Sequence, residues 1–296
     1  MLQAAAVHGV STGHWVGVPL ALAAAVLLSL GTWFQSRGVV AAVAGSGPWA
    51  GLHLAVLVRR PAWTTGAGML GAAVVLQLSA LRFSPLTVVQ PIGAVALVVT
   101  ELTHLVVSGR RPAPRRILAV LLCVGGIAGF VVVAGLSVID VPMSDGKLRI
   151  LLVLLSMVVA VVFGLARRSL NALVCTIGAG VLYGFVATLA KTVLGRIVQR
   201  HFQWLSVMAL TAVVIAAGVG AWLVQHAHTG GRPELIVAGL TVVDPMVAVA
   251  LALTVLGEAD TAPPVAFLAF ALTGALAVTG VVVLTTAAAA PASGQP

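Results

Sequence analysis

Residues 86–102 read LTVVQPIGAVALVVTEL and residues 240–256 read LTVVDPMVAVALALTVL, with eleven of seventeen positions identical at an offset of 154. Apolar segments inflate similarity through Ala, Leu and Val. Here, however, the proline and both threonines coincide as well, and the offset is about half of the 296 residues. The same offset carries Arg37 onto Lys191, and Gln77 finds Gln225 if six residues are inserted before the second copy. The chain therefore reads as two related halves.

Composition says where those halves sit. Hydrophobic residues make up 60% of the chain and charged residues 8%, and the mean hydropathy is +1.16, far from the balance of a water-soluble domain. Apolar runs of about twenty residues match the roughly 30 Å hydrocarbon layer at 1.5 Å per helical residue. They are continuous and do not alternate with a period of two, which selects helices over a closed barrel. The fold class expected is an all-α polytopic membrane protein. The net charge of +9 comes from arginines clustered between apolar runs, which mark topology and not a nucleic-acid surface. Cys123 and Cys175 have no metal or redox spacing and read as small packing residues.

Breakers between the runs give nine candidate spans, near 16–40, 63–82, 85–108, 115–135, 149–166, 172–196, 204–226, 235–257 and 264–285. Trp15, Trp49, Trp63, Trp204 and Trp222 fall at or near span ends, where an indole prefers the headgroup region. The stretch 48–60 is too short to cross and is the place where a tenth span would have to be. No basic n-region or cleavage site precedes the first run, so it reads as a retained span.

The first repeat is expected over 1–140 (spans one to four), a connecting span five within 141–170, the second repeat over 171–286 (spans six to nine) and a disordered tail over 287–296. Matched elements lie an odd number of spans apart, which reverses the second half and makes an inverted-topology repeat. Ten basic loop residues on one side against five on the other place the N-terminus outside and the C-terminus in the cytoplasm of a cell membrane.

The repeat also points at a site. Pro91 and Pro245 each remove a backbone donor inside a span, freeing the carbonyls of Thr87 and Thr241 and predicting a kink or opening in both helices. Matched interruptions in two halves point to a substrate site between them. Beside the prolines stand Gln90 and Asp244, an amide in one half and a carboxylate in the other. An intramembrane carboxylate is costly unless paired, hydrated or protonated, so Asp244 reads as a proton or cation site, with a structural interhelical bond as the competing reading. Arg37 and Lys191 are candidate partners for Asp244 or for an anionic substrate, against simple snorkelling to the headgroups. Glu101 forms a candidate polar pair or relay with His104 one turn later. Tyr183, the only tyrosine, is a candidate cavity residue.

No P-loop, dinucleotide loop, nucleophile elbow or HExxH motif occurs, so neither a cofactor nor common hydrolase chemistry is expected. Seven acidic residues scattered over the chain also leave little material for an enzymatic cluster.

Residues 76–91 (LQLSALRFSPLTVVQP), 180–193 (GVLYGFVATLAKTV) and 240–258 (LTVVDPMVAVALALTVLGE) resemble the drug/metabolite transporter superfamily, particularly its EamA-like and NIPA-type magnesium transporter-like members of actinobacterial type. The resemblance implies nine or ten helices in inverted halves around a central cavity, working by alternating access and often with proton or cation exchange. The nine-span form is similar to the NIPA-type branch.

The expected function is a secondary transporter, cation-coupled or facilitative, for a small metabolite or amphipathic drug. Magnesium or another divalent cation is one alternative, and flipping of a lipid-linked precursor is another. The partners expected are a small-molecule or ion substrate and the bilayer, with a homodimer compatible and no nucleic acid.

Overall fold

The computed structural model describes residues 13–44, 58–109, 113–141, 144–168, 171–200, 203–230 and 233–288. Most of the stretch 48–60 and the tail from 289 onward lie outside them, so the tenth-span question and the disordered-tail expectation fall outside the described residues. Residues 287 and 288 still belong to the last helix.

Among the described residues ten α-helices follow in order: α1 (Gly17–Ala44), α2 (Pro61–Phe83), α3 (Leu86–Ile92), α4 (Val95–Ser108), α5 (Pro114–Ser137), α6 (Asp145–Arg168), α7 (Ala172–Val198), α8 (Trp204–Gly230), α9 (Pro233–Leu251) and α10 (Pro264–Ala288). Among the described residues nine segments are long and apolar enough to cross a membrane, α3 and α4 together forming one of them. The chain is a membrane-embedded protein, all-helical among the described residues. Large apolar side chains stand at its surface, such as Val106 (82% exposed) and Leu136 (77%), as expected where the outer solvent is lipid.

The helix ends follow local chemistry. Pro61 and Pro114 occupy first turns, where a missing N–H costs nothing. Asn171 caps α7 by accepting from the Val174 N–H at 2.8 Å. The third span changes winding directly after Pro91 and not in the turn before it: α3 stops at Ile92, and i to i−3 bonds at Gly93, Ala94, Ala96 and Leu97 bridge to α4. Pro245 behaves differently, because α9 runs through it unbroken and is irregular only later, in a π-helical turn over Ala252–Leu256. The two prolines therefore leave no matched opening: one span departs from α geometry directly after Pro91, the other only from Ala252 onward.

Gly257 ends that turn with φ +72°, a left-handed conformation that a side chain disfavours. A Cβ there would also lie 2.5 Å from the Asp260 carboxylate. Gly257→Ala should therefore cost about 1–2 kcal/mol, read as a lower melting temperature in detergent.

In lipid, helices do not associate by hydrophobic expulsion, so contacts depend on close packing of small residues. The first helix of each matched set packs on the second (α1 on α2, α7 on α8) and on the third (α1 on α4, α7 on α9). The fourth helices, α5 and α10, pack on each other. A Cβ on Gly66 would reach to 2.6 Å from the Gly31 carbonyl oxygen, and one on Gly184 to 2.9 Å from that of Asp244. At the α5/α10 crossing a Cβ on Gly126 would lie 2.3 Å from the Ala277 nitrogen, and one on Gly280 would lie 2.3 Å from the Cys123 nitrogen. Both glycines and both of their partners are related by the 154 offset. Helix α6 lies at the edge, against α7 and α8.

Candidate functional site

Three places hold seven of the ten residues singled out above, all but Gln90, Arg37 and Glu101. The first is a cavity of about 490 Å³ between α3, α5, α9 and α10, whose walls include Pro91, Ile127, Phe130, Thr241, Pro245 and Phe270. The two repeat-related prolines thus converge on one space. Its lining, among the described residues, carries no charged side chain. The Thr241 hydroxyl donates to the Val237 carbonyl at 2.8 Å, so towards the cavity it offers an acceptor. Met246, Ala250, Ala271 and Ala275 are both wall residues and exposed in mid-span, so the cavity opens sideways, toward lipid, between α9 and α10.

The second place is Asp244. It is adjacent to Pro245 but does not line the cavity; its backbone is pressed against α7 at Gly180 and Gly184. Its Oδ1 is buried without a hydrogen-bond partner, and Tyr183 stands on α7 between the two glycines that Asp244 packs on. Tyr183 in turn packs on Gly220 of α8, where a Cβ would be 2.9 Å from its ring. An unpartnered carboxylate oxygen deep in a span is costly, and such a group is a functional candidate for that reason.

The third place is an ion network that sequence reasoning missed. Glu258, 1% exposed, follows directly on the left-handed Gly257, which turns it back into the bundle. Its Oε1 accepts from the Leu86 N–H at 2.8 Å and from Lys191 Nζ at 2.9 Å. Its Oε2 accepts from the Thr87 N–H at 2.9 Å and the Thr87 hydroxyl at 2.7 Å. Four donors fill the carboxylate's four lone-pair positions. Lys191 completes three bonds through Asp140 Oδ1 at 2.8 Å and the Ser84 carbonyl at 3.3 Å. Nearby, Arg196 pairs with Asp145, its Nε buried without a partner, and Lys147 donates to the Leu256 carbonyl at 2.7 Å.

The other predicted residues are distributed as follows. Gln90 and Thr87 are buried on α3 away from the cavity lining, and Thr87 serves Glu258. Lys191 is held by Glu258 and Asp140 and is not paired with Asp244. Its repeat-equivalent Arg37 is exposed and sits over the Trp33 ring, 4.8 Å from its centroid. Glu101 pairs with Arg116 at 2.8 Å in place of His104, which is exposed. Among the described residues no three His, Cys, Asp or Glu side chains converge on a metal position.

No family model and no solved structure matches the chain. An uncharacterized protein of Corynebacterium glutamicum is similar to it at 27% identity over 253 residues, which covers 82% of this chain and 85% of that one.

Proposed function

We propose that the chain is a secondary transporter of a small apolar or amphipathic solute, cation-coupled or facilitative, built as two opposed halves that exchange conformations. The observation that carries this reading is the cavity walled by both Pro91 and Pro245. A solute site where matched elements of two halves meet is what alternating access requires. The crossing of α5 and α10, where Gly126 meets Ala277 and Gly280 meets Cys123, supports the two-halves arrangement. So does the like pairing of helices in each set. The drug/metabolite transporter resemblance fits the same arrangement. We place the protein in a cell membrane, N-terminus outside, on the loop arginines.

Substrate class follows from the lining. An apolar wall with the Thr241 hydroxyl as a polar point suits a largely apolar solute. Magnesium needs several oxygen ligands, and a phosphate-headed lipid needs a cation at the lateral opening; the lining supplies neither. A thermal-shift screen of purified protein against amphipathic compounds, metals, amino acids and lipid phosphates should show stabilisation by the first group. Stabilisation by magnesium alone would overturn the solute assignment.

Coupling rests on Asp244. In proteoliposomes Asp244→Asn should abolish pH-driven uptake of the stabilising solute and leave the melting temperature near that of the parent. Undiminished uptake would remove proton coupling from the reading.

A further inference from the structure

We propose that the Glu258–Lys191 network is the bolt of a gate that closes the membrane face at which α1 begins, so that the route between the site and the water on that face, as distinct from the lateral opening to lipid, exists only when the network parts. This rests on the transport reading above.

The geometry is that of a clasp between the two matched sets of helices. Glu258 and Lys191 both belong to the second set, following α9 and within α7. Every further bond they make in the network goes to the other side: to the backbone of Leu86 and Thr87 at the start of α3, to the Ser84 carbonyl, and to Asp140 just beyond α5. The Ile139 N–H adds a bond to the Glu258 carbonyl at 2.9 Å. Opposite it in the bilayer, the pair Glu101–Arg116 stays within the first set, joining α4 to α5.

The clasp is exposed on its outer side and buried on its inner one. A cleft of about 140 Å³, lined by Asp140, Lys191 and Arg196 among others, reaches it from outside, and the Asp140 side chain is 41% exposed. Behind it Glu258 is 1% exposed, and Thr188, one turn deeper on α7, is 0% exposed. A buried, fully bonded ion pair is poor at adding net stability compared with an apolar plug, but it has two discrete arrangements, bonded or hydrated, and this suits a part that must open. The weakest point of that span is at hand: α3 passes into α4 at Gly93–Ala94 through i to i−3 bonds only, and a bend at this turn would let the clasped segment tilt against α4.

The test reads access to Thr188. In the full chain with Cys123→Ala and Cys175→Ala, reconstituted in lipid nanodiscs, Thr188→Cys serves as the reporter for a charged, membrane-impermeant maleimide. With the network intact, labelling should be slow. Adding Glu258→Gln, which preserves shape but removes the charge, should accelerate it at least about tenfold, a change of one decade in the open population. Asp140→Asn, at the exposed edge, should accelerate it less, and decides the matter should the Glu258 variant aggregate on size exclusion. Unchanged labelling in folded variants overturns the gate. Labelling needs no transported solute, so failed uptake across the whole solute panel overturns the transport reading separately.

Discussion

Glu258→Ala should destabilise the folded protein by about 3–5 kcal/mol, the range found when one partner of a buried ion pair is removed. The loss has three parts. Lys191, about nine-tenths buried, loses its innermost counter-charge and keeps only Asp140 and a carbonyl. The N–H groups of Leu86 and Thr87 at the start of α3 lose their acceptor in a place where water does not reach, since both residues are fully buried. The side-chain volume itself becomes a cavity. Thermal unfolding in detergent, followed by helical circular dichroism, should show a large drop for Glu258→Ala and a much smaller one for Asp140→Asn. Equal melting temperatures for the alanine variant and the parent would show that the network is solvated and not buried as described.

Gly280→Ala, a change of one methyl group, should cost about 1–3 kcal/mol or more, and Gly126→Ala should do the same. The new Cβ would lie 2.3 Å from a backbone nitrogen in each case, and backbone cannot rotate away as a side chain can. The helices α5 and α10 must move apart, and with them the walls of the cavity, because Ile127 and Phe130 are on one helix and Phe270 on the other. The expectation is a lowered melting temperature in both single variants together with weakened stabilisation by the solute. Gly125→Ala and Gly218→Ala are controls, since nothing lies within 4 Å of a Cβ at either position. If all four behave alike, close approach of α5 and α10 is not what holds the pair.

The spans were legible because one property, twenty or so apolar residues bounded by proline, glycine and arginine, is local and strong. Helix ends fell within a few residues of the expected ones, as at α5 (Pro114–Ser137) and α7 (Ala172–Val198). That the third span would be irregular near Pro91 was legible too, but not that the change of winding would follow the proline, at Gly93–Ala94. Glu258 was not, because its role is set by residues 172 positions away and by a π turn and a left-handed glycine that together redirect an apparent loop acid inward. The signal available was Gly257 at the end of an apolar run followed at once by a carboxylate. Lys191 and Arg37 are equal by sequence offset, and only their tertiary neighbours separate them: one sits among carboxylates, the other over an indole. The unbroken α9 shows that a proline removes one donor but does not by itself dictate a break when neighbouring helices hold both sides.

The sideways mouth between α9 and α10 has a further consequence for dosing. Under the transport reading, a solute entering by this mouth would be sensed at its membrane concentration, and its apparent affinity in water would be the intrinsic affinity multiplied by its partition coefficient. One added methylene favours partitioning by about 0.8 kcal/mol, which lowers the aqueous concentration needed roughly fourfold even if the cavity gains no contact from it. Ranking a homologous series by aqueous potency would then mostly rank lipophilicity, and selectivity of the wall around Thr241 emerges only after that gradient is divided out.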